Sequence, residues 1–161
     1  MGVLFICDTA EYSCAYGSWN NIRMGLLSAS LRYVRHLERG LDASDTTIDS
    51  EKSDPTAYKA IQLILKEKDK MTDVDKFIQI VEKHGHDMVD GMNYLNIGGL
   101  WAIMNKRDDE GNYTPGNALD ILILIKQVES FVEKKDIKER LHGVKKVLNH
   151  SVATRQCIKI W

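Results

Sequence analysis

Tyr16-Gly17-Ser18-Trp19-Asn20-Asn21-Ile22-Arg23 gathers the chain's richest set of polar, aromatic and charged side chains. Gly17 and Ser18 stand where a helical repeat begins. The first N–H groups of a helix have no partner inside it, and with the helix dipole they favour an anion at that end. Ser18 is a suitable N-cap. Tyr16 and Trp19 offer flat faces for stacking on a ring such as a nucleobase. Asn20 adds a polar group, and Arg23 supplies a cation about one turn further on. Arg155 joins them if the last strand lies beside the first. Tyr16, Ser18, Trp19, Asn20, Arg23 and Arg155 are therefore the expected contacts of a small anionic ligand. The competing reading makes Tyr16 and Trp19 core anchors, Ser18 a simple cap and Arg23 a solvated side chain.

A second candidate is Asp108-Asp109-Glu110-Gly111-Asn112-Tyr113-Thr114-Pro115, which resembles a calcium loop. With Gly111 at the sixth position of an EF-hand, Lys106 takes the first ligand position and Asn117 the twelfth. A lysine repels the ion there, and an amide cannot replace the bidentate carboxylate. The stretch reads instead as an acidic turn around a left-handed Gly111, with Thr114 capping the next helix and Pro115 in its first turn.

His84-Gly85-His86-Asp87 with Asp90 suggests a metal site, and His86-Asp87 is the doublet of the HD-type phosphohydrolases. His36 and Asp120 are the residues available to complete such a site. Asp87 is followed by Met-Val-Asp, outside the usual context of that doublet, so a solvated helix end is the simpler reading. Cys14 and Cys157 have no base beside them in sequence, and Gly98-Gly99 lacks a phosphate-loop setting. No catalytic residues, no metal and no cofactor are expected.

The elements that must position these residues follow from periodicity. Val3 to Cys7 reads as a buried strand, and Tyr12 to Gly17 as a turn. Ile22, Leu26, Ala29, Tyr33 and Leu37 repeat at helical spacing, and Gly40 is expected to end that helix. Asp42 to Ser53 is polar and expected to be a mobile loop. Asp54-Pro55 opens a helix bearing Tyr58, Ile61 and Leu65, and Thr72 with Asp75 opens another that His84-Gly85 closes. An irregular region follows, then a brief buried helix from Leu100 to Met104. The helix after Thr114 is apolar on nearly every side, which places it centrally or in an oligomer interface. Ile137, Leu141, Val144 and Leu148 mark a surface helix, and Gln156 to Trp161 alternates as a terminal strand paired with Val3 to Cys7. The fold class expected is mostly helical α+β, a single domain over 1–161 with a small sheet formed by the N- and C-terminal strands.

The 161 residues are enough to bury one core. A formal net charge of −1 argues against general nucleic-acid or membrane-surface binding. From Lys126 to Trp161, however, nine basic residues oppose four acidic ones, a local excess of five positive charges. Three cysteines without a C-x-x-C pair, no export signal and no bilayer-length apolar run suggest a reduced, cytoplasmic protein.

Tyr16 to Arg23, Asp108 to Pro115 and Cys157 to Trp161 together resemble a loose group of uncharacterised small proteins encoded by bacteriophages. The shared pattern is an N-terminal strand, a tyrosine-rich helix opening, an acidic Gly-aromatic-Ser/Thr-Pro turn and a short last strand. The resemblance implies context only: accessory phage proteins of this size bind host factors or sequester nucleotide immune signals. The expectation is a non-enzymatic cytoplasmic binding protein, a homo-oligomer, that captures a small anionic ligand such as a nucleotide signal. An interaction module that inhibits a host enzyme and an HD-like metal-dependent phosphohydrolase are the alternatives.

Overall fold

In the computed structural model, which describes residues 2–43, 54–105 and 111–161, strand β1 (Gly2–Cys7) folds back directly onto β2 (Ala10–Ala15). The ladder is unbroken from Gly2 opposite Ala15 to Cys7 opposite Ala10, leaving Asp8-Thr9 as the turn. Asp8 takes φ 53°, the left-handed region that tight hairpin turns require and that Asp tolerates better than most residues. The expected turn over Tyr12 to Gly17 is thus a strand followed by the start of a helix. Its alternation is visible in hindsight: Tyr12 and Cys14 are half-buried, while Glu11, Ser13 and Ala15 are exposed.

Helix α1 (Tyr16–Ala43) then crosses the molecule. Its inner stripe is Ile22, Leu26, Ala29, Tyr33 and Val34, as the spacing requires. Ser18 lies in its first turn and is not its N-cap, because the helix already begins at Tyr16. Gly40 does not end it. A helix interior tolerates one glycine at roughly 1 kcal/mol, and a Cβ at Gly40 would meet nothing within 4 Å. Of the loop expected over 42–53, Asp42 and Ala43 are helical, and 44–53 lie outside the described residues.

Helix α2 (Pro55–Glu67) starts as predicted, with the Asp54 carboxylate accepting from the Ala57 N–H at 3.0 Å. A 3-10 turn over Lys68–Lys70 leads to α3 (Val74–His84). The cap of α3 is Asp73, accepting from Lys76 N–H at 2.8 Å, one residue after the expected Thr72. Gly85, at φ 59°, ends α3, but the next segment is not irregular: α4 (His86–Tyr94) begins at once. Helix α5 (Gly99–Met104) is short and buried.

Strand β3 (Asn112–Tyr113) follows Gly111, whose φ of 113° accounts for the glycine. Positions 106–110, which hold most of the calcium-loop reading, lie outside the described residues. Thr114 and Asn117 form a reciprocal capping box at the start of α6 (Pro115–Val128). A second 3-10 turn, Glu129–Phe131, precedes α7 (Lys135–Thr154). Arg155, at φ 57°, closes α7 in the left-handed conformation. The Ser151 hydroxyl and the Cys7 thiol both donate to the Gln156 carbonyl, steering the chain into β4 (Ile158–Ile160).

The sheet is antiparallel in the order β2-β1-β4-β3, with Phe5 opposite Ile160 and Tyr113 opposite Ile158. The terminal strands therefore meet, and the fold is mostly helical α+β. Helices α1 and α7 cover the sheet's inner face, where Phe5 packs against Trp19 and Tyr113. Helix α6 runs between α5 and α7, and Gly99 allows it to approach closely. A Cβ at Gly99 would stand 2.3 Å from the Asp120 carbonyl oxygen and 2.8 Å from Leu124 Cβ. Gly99→Ala should therefore cost about 1–3 kcal/mol by overpacking. Gly40→Ala should be neutral or stabilising by up to about 1 kcal/mol. Urea unfolding of the two variants checks the contrast.

Candidate functional site

Of the helix-opening residues expected to bind a ligand, Trp19 and Arg23 are turned inward. Trp19 is 3% exposed, its ring 4.6 Å from Phe5, and Arg23 is also 3% exposed. The two are brought together, with the Arg23 guanidinium carbon 5.8 Å from the Trp19 ring centre, a cation–π contact inside the protein. Tyr16 and Ser18 are half-buried, Tyr16 against the core, while Asn20 and Arg155 are exposed. A void beside Trp19 holds about 20 Å³ and is lined by Phe5, Tyr12, Trp19, Tyr113 and other apolar side chains. A space of that size and character stays dry and admits no ligand. Trp19 is a core anchor here and gives no stacking surface, because its apolar area is worth most against Phe5.

Cations gather instead further along α1. Arg32, Arg35, His36 and Arg39 occupy one outward stripe at helical spacing. With Ser28, Leu31, Lys68, Asp69 and Phe131 they line an open cleft of about 540 Å³. Its lining carries four full positive charges, on Arg32, Arg35, Arg39 and Lys68, against one negative charge on Asp69. Field lines focus in such a cleft and raise the local concentration of anions.

Each wall has a local cause. Arg32 donates through Nε at 2.9 Å and Nη2 at 2.6 Å to the Phe131 carbonyl, tying the second 3-10 turn to α1. Its remaining nitrogen lies 3.7 Å from the Glu133 carboxylate. Phe131 is thereby held with its ring between Tyr33, at 5.9 Å edge-on, and His36, at 5.7 Å. Arg32 is a positioning residue as much as a cation. Arg35 reaches Glu38 at 3.4 Å and Lys68 reaches Asp69 at 3.5 Å, both partly exposed pairs that water and salt screen to little net energy. Among the described residues, Arg39 makes no ion pair. These groups are available to an incoming anion.

The residue before Lys68 is a buried acid. The Glu67 side chain is buried, 3.4 Å from Lys70 Nζ and 3.3 Å from His84 Nε2. Burial pushes its carboxyl up, but the close approach of Lys70 and His84 and the charges of Lys70 and Lys83 outweigh that, leaving it below its ordinary value. His84 is thus engaged with Glu67. His86 and Asp87 are exposed at the start of α4, and His36 lies in the cleft beside Phe131. No three His, Cys, Asp or Glu side chains gather as a metal site among the described residues.

The cleft continues along α1. A smaller one of about 160 Å³ shares Ser28 and Arg32 with it and adds Asn21, Glu133 and Lys134. A separate groove of about 480 Å³ lies between α2 and α4, with Asp87, Asp90 and Tyr94 on its rim. Comparison with protein-family models, curated proteins and solved structures finds no match to this chain. Among the described residues, no helix is long and apolar enough to cross a membrane.

The basic stripe was legible in principle: Arg32, Arg35, His36 and Arg39 follow the apolar stripe with the same period. Sequence alone does not single it out, because Lys68 and Phe131 come from distant segments. A depressed Glu67 carboxyl contributes stability that is present above the ordinary carboxylate range and lost as pH falls through its folded value. Glu67→Gln should therefore be less stable than the parent near neutrality, and the gap should close as the solution is acidified. Urea unfolding between about pH 3 and pH 7 measures this, and a gap that widens on acidification contradicts the assignment.

Proposed function

We propose that the protein is a non-catalytic binding protein that captures a small phosphate-bearing ligand in the α1 cleft. The observation that carries the proposal is the convergence of Arg32, Arg35, His36, Arg39 and Lys68 around the Phe131 ring in one open cleft of about 540 Å³. That volume lies in the range of small-molecule sites. Arginine forks match phosphate oxygens in bidentate fashion, and lysine adds a point charge. Phe131 and His36 supply flat surfaces for a ring, so a nucleotide fits better than a bare anion. The likeness to small bacteriophage proteins supports a nucleotide signal as the ligand and host cytoplasm as the setting. Three free cysteines suit a reducing compartment. The site differs from the Tyr16 to Arg23 platform expected from sequence, whereas the ligand class is the same.

The capture reading makes no demand for a nucleophile, base or metal, since the cleft binds by charge and stacking alone. Affinity should fall as ionic strength rises, because Arg35, Arg39 and Lys68 act at a solvent-facing wall. Titration calorimetry with ADP, ATP and inorganic pyrophosphate tests the proposal. Arg39→Glu should weaken the tightest of these by about tenfold or more, in line with loss of a charge-assisted hydrogen bond. The melting temperature without ligand should change little, because Arg39 is exposed. Absence of binding at millimolar anion, or binding indifferent to Arg39→Glu, overturns the proposal.

A further inference from the structure

Helix α6 turns two large aliphatic side chains to solvent one turn apart, Leu119 at 47% exposure and Ile123 at 42%. Around them Gly116, Asp120 and Lys126 are exposed and Gln127 is half-buried. The opposite side of the helix is sealed by Ala118, Ile121, Leu124, Ile125 and Val128 in the core. Asp120 and Lys126 take part in none of the ion pairs among the described residues. A helix surface that combines paired aliphatics with two unused opposite charges is suited to a partner that supplies the complementary charges.

This chain supplies them itself. Asp120 stands three residues before Ile123 and Lys126 three residues after it. When a second α6 lies antiparallel on the first with a two-fold axis at Ile123, positions equally distant from Ile123 face each other. Asp120 then meets Lys126 twice, once on each side of the axis. Leu119 packs on the stem of Gln127, and Ile123 packs on its own copy. A two-fold contact must be self-complementary in this way, and a chance apolar patch has no reason to place opposite charges symmetrically about its centre. We infer that the exposed face of α6 is a homodimer interface, formed by antiparallel α6 helices crossing at Ile123. The inference goes beyond the α1 cleft and stands without it.

The contact is small and belongs to the weak, concentration-dependent class of interfaces. Sedimentation equilibrium from about 5 to 200 micromolar should show the mass rising from the 18.3 kDa of one chain towards twice that value. Ile123→Asp, which sets two carboxylates against each other on the axis, should raise the dissociation constant about tenfold or more. Asp120→Lys alone and Lys126→Asp alone should each weaken the dimer, since each creates two like-charge contacts. The double variant Asp120→Lys, Lys126→Asp should regain parental affinity. All these positions are exposed, and unchanged circular dichroism confirms the fold of each variant. A monomer across the whole range overturns the interface. A dimer indifferent to Ile123→Asp, or one that the double exchange fails to restore, overturns the antiparallel two-fold arrangement.

Discussion

A helix running from Tyr16 to Ala43 cannot bury its own stripe of Ile22, Leu26, Ala29, Tyr33 and Val34, so the remaining elements are distributed along it. At its start the sheet and α7 cover Trp19 and Ile22. In its middle α6 and α7 pack against it, with Gly25 meeting Ile137 closely enough that a Cβ would stand 2.6 Å from it. Beyond that, α2 and the second 3-10 turn flank it, and Arg32 fastens the turn through the Phe131 carbonyl. Apolar burial of roughly 25 cal/mol per Å² explains why the inner stripe must be covered, and the same coverage decides which outward residues remain in a cleft.

The cleft is therefore a consequence of packing as well as of charge. Tyr33 points inward and donates to the Leu95 carbonyl at 3.2 Å, while the neighbouring Arg32 and His36 frame Phe131 from the outer side. Glu67, held by Lys70 and His84, sets the turn from which Lys68 enters. The two turns that complete the cleft come from segments more than sixty residues apart in the chain, Lys68 and Phe131. Each turn has a charged side chain paired at its root, Arg32 at Phe131 and Glu67 before Lys68, so the cations facing solvent need not hold the fold together.

Much of the architecture was readable from local patterns. The terminal strands, the Asp54-Pro55 and Thr114-Pro115 helix starts, the buried Leu100 to Met104 helix and the left-handed Gly111 each rest on a few neighbouring residues with a strong preference. What failed did so where tertiary context overrides preference. Tyr12 to Ala15 looked like a turn because its aromatic and small residues are ambiguous, and only pairing with β1 makes it a strand. Gly40 stays helical because one glycine cannot outweigh the helix already built behind it. For Trp19 and Arg23 the limit is related: spacing located them at a helix start but could not say that Phe5 lies against Trp19. The basic stripe on α1 has no meaning until Phe131 and Lys68 are brought to it.

The central claim is that Arg35, His36, Arg39, Lys68 and Phe131 form one anion-binding cleft. Amide and arginine side-chain NMR shifts recorded during a titration with ADP test it most directly. The account predicts saturable shifts concentrated on α1 from Arg32 to Arg39, on Lys68 and around Phe131, with Trp19 and Arg23 unmoved. Shifts centred on Tyr16 to Arg23, or small unsaturable changes spread over all surface cations, would contradict it.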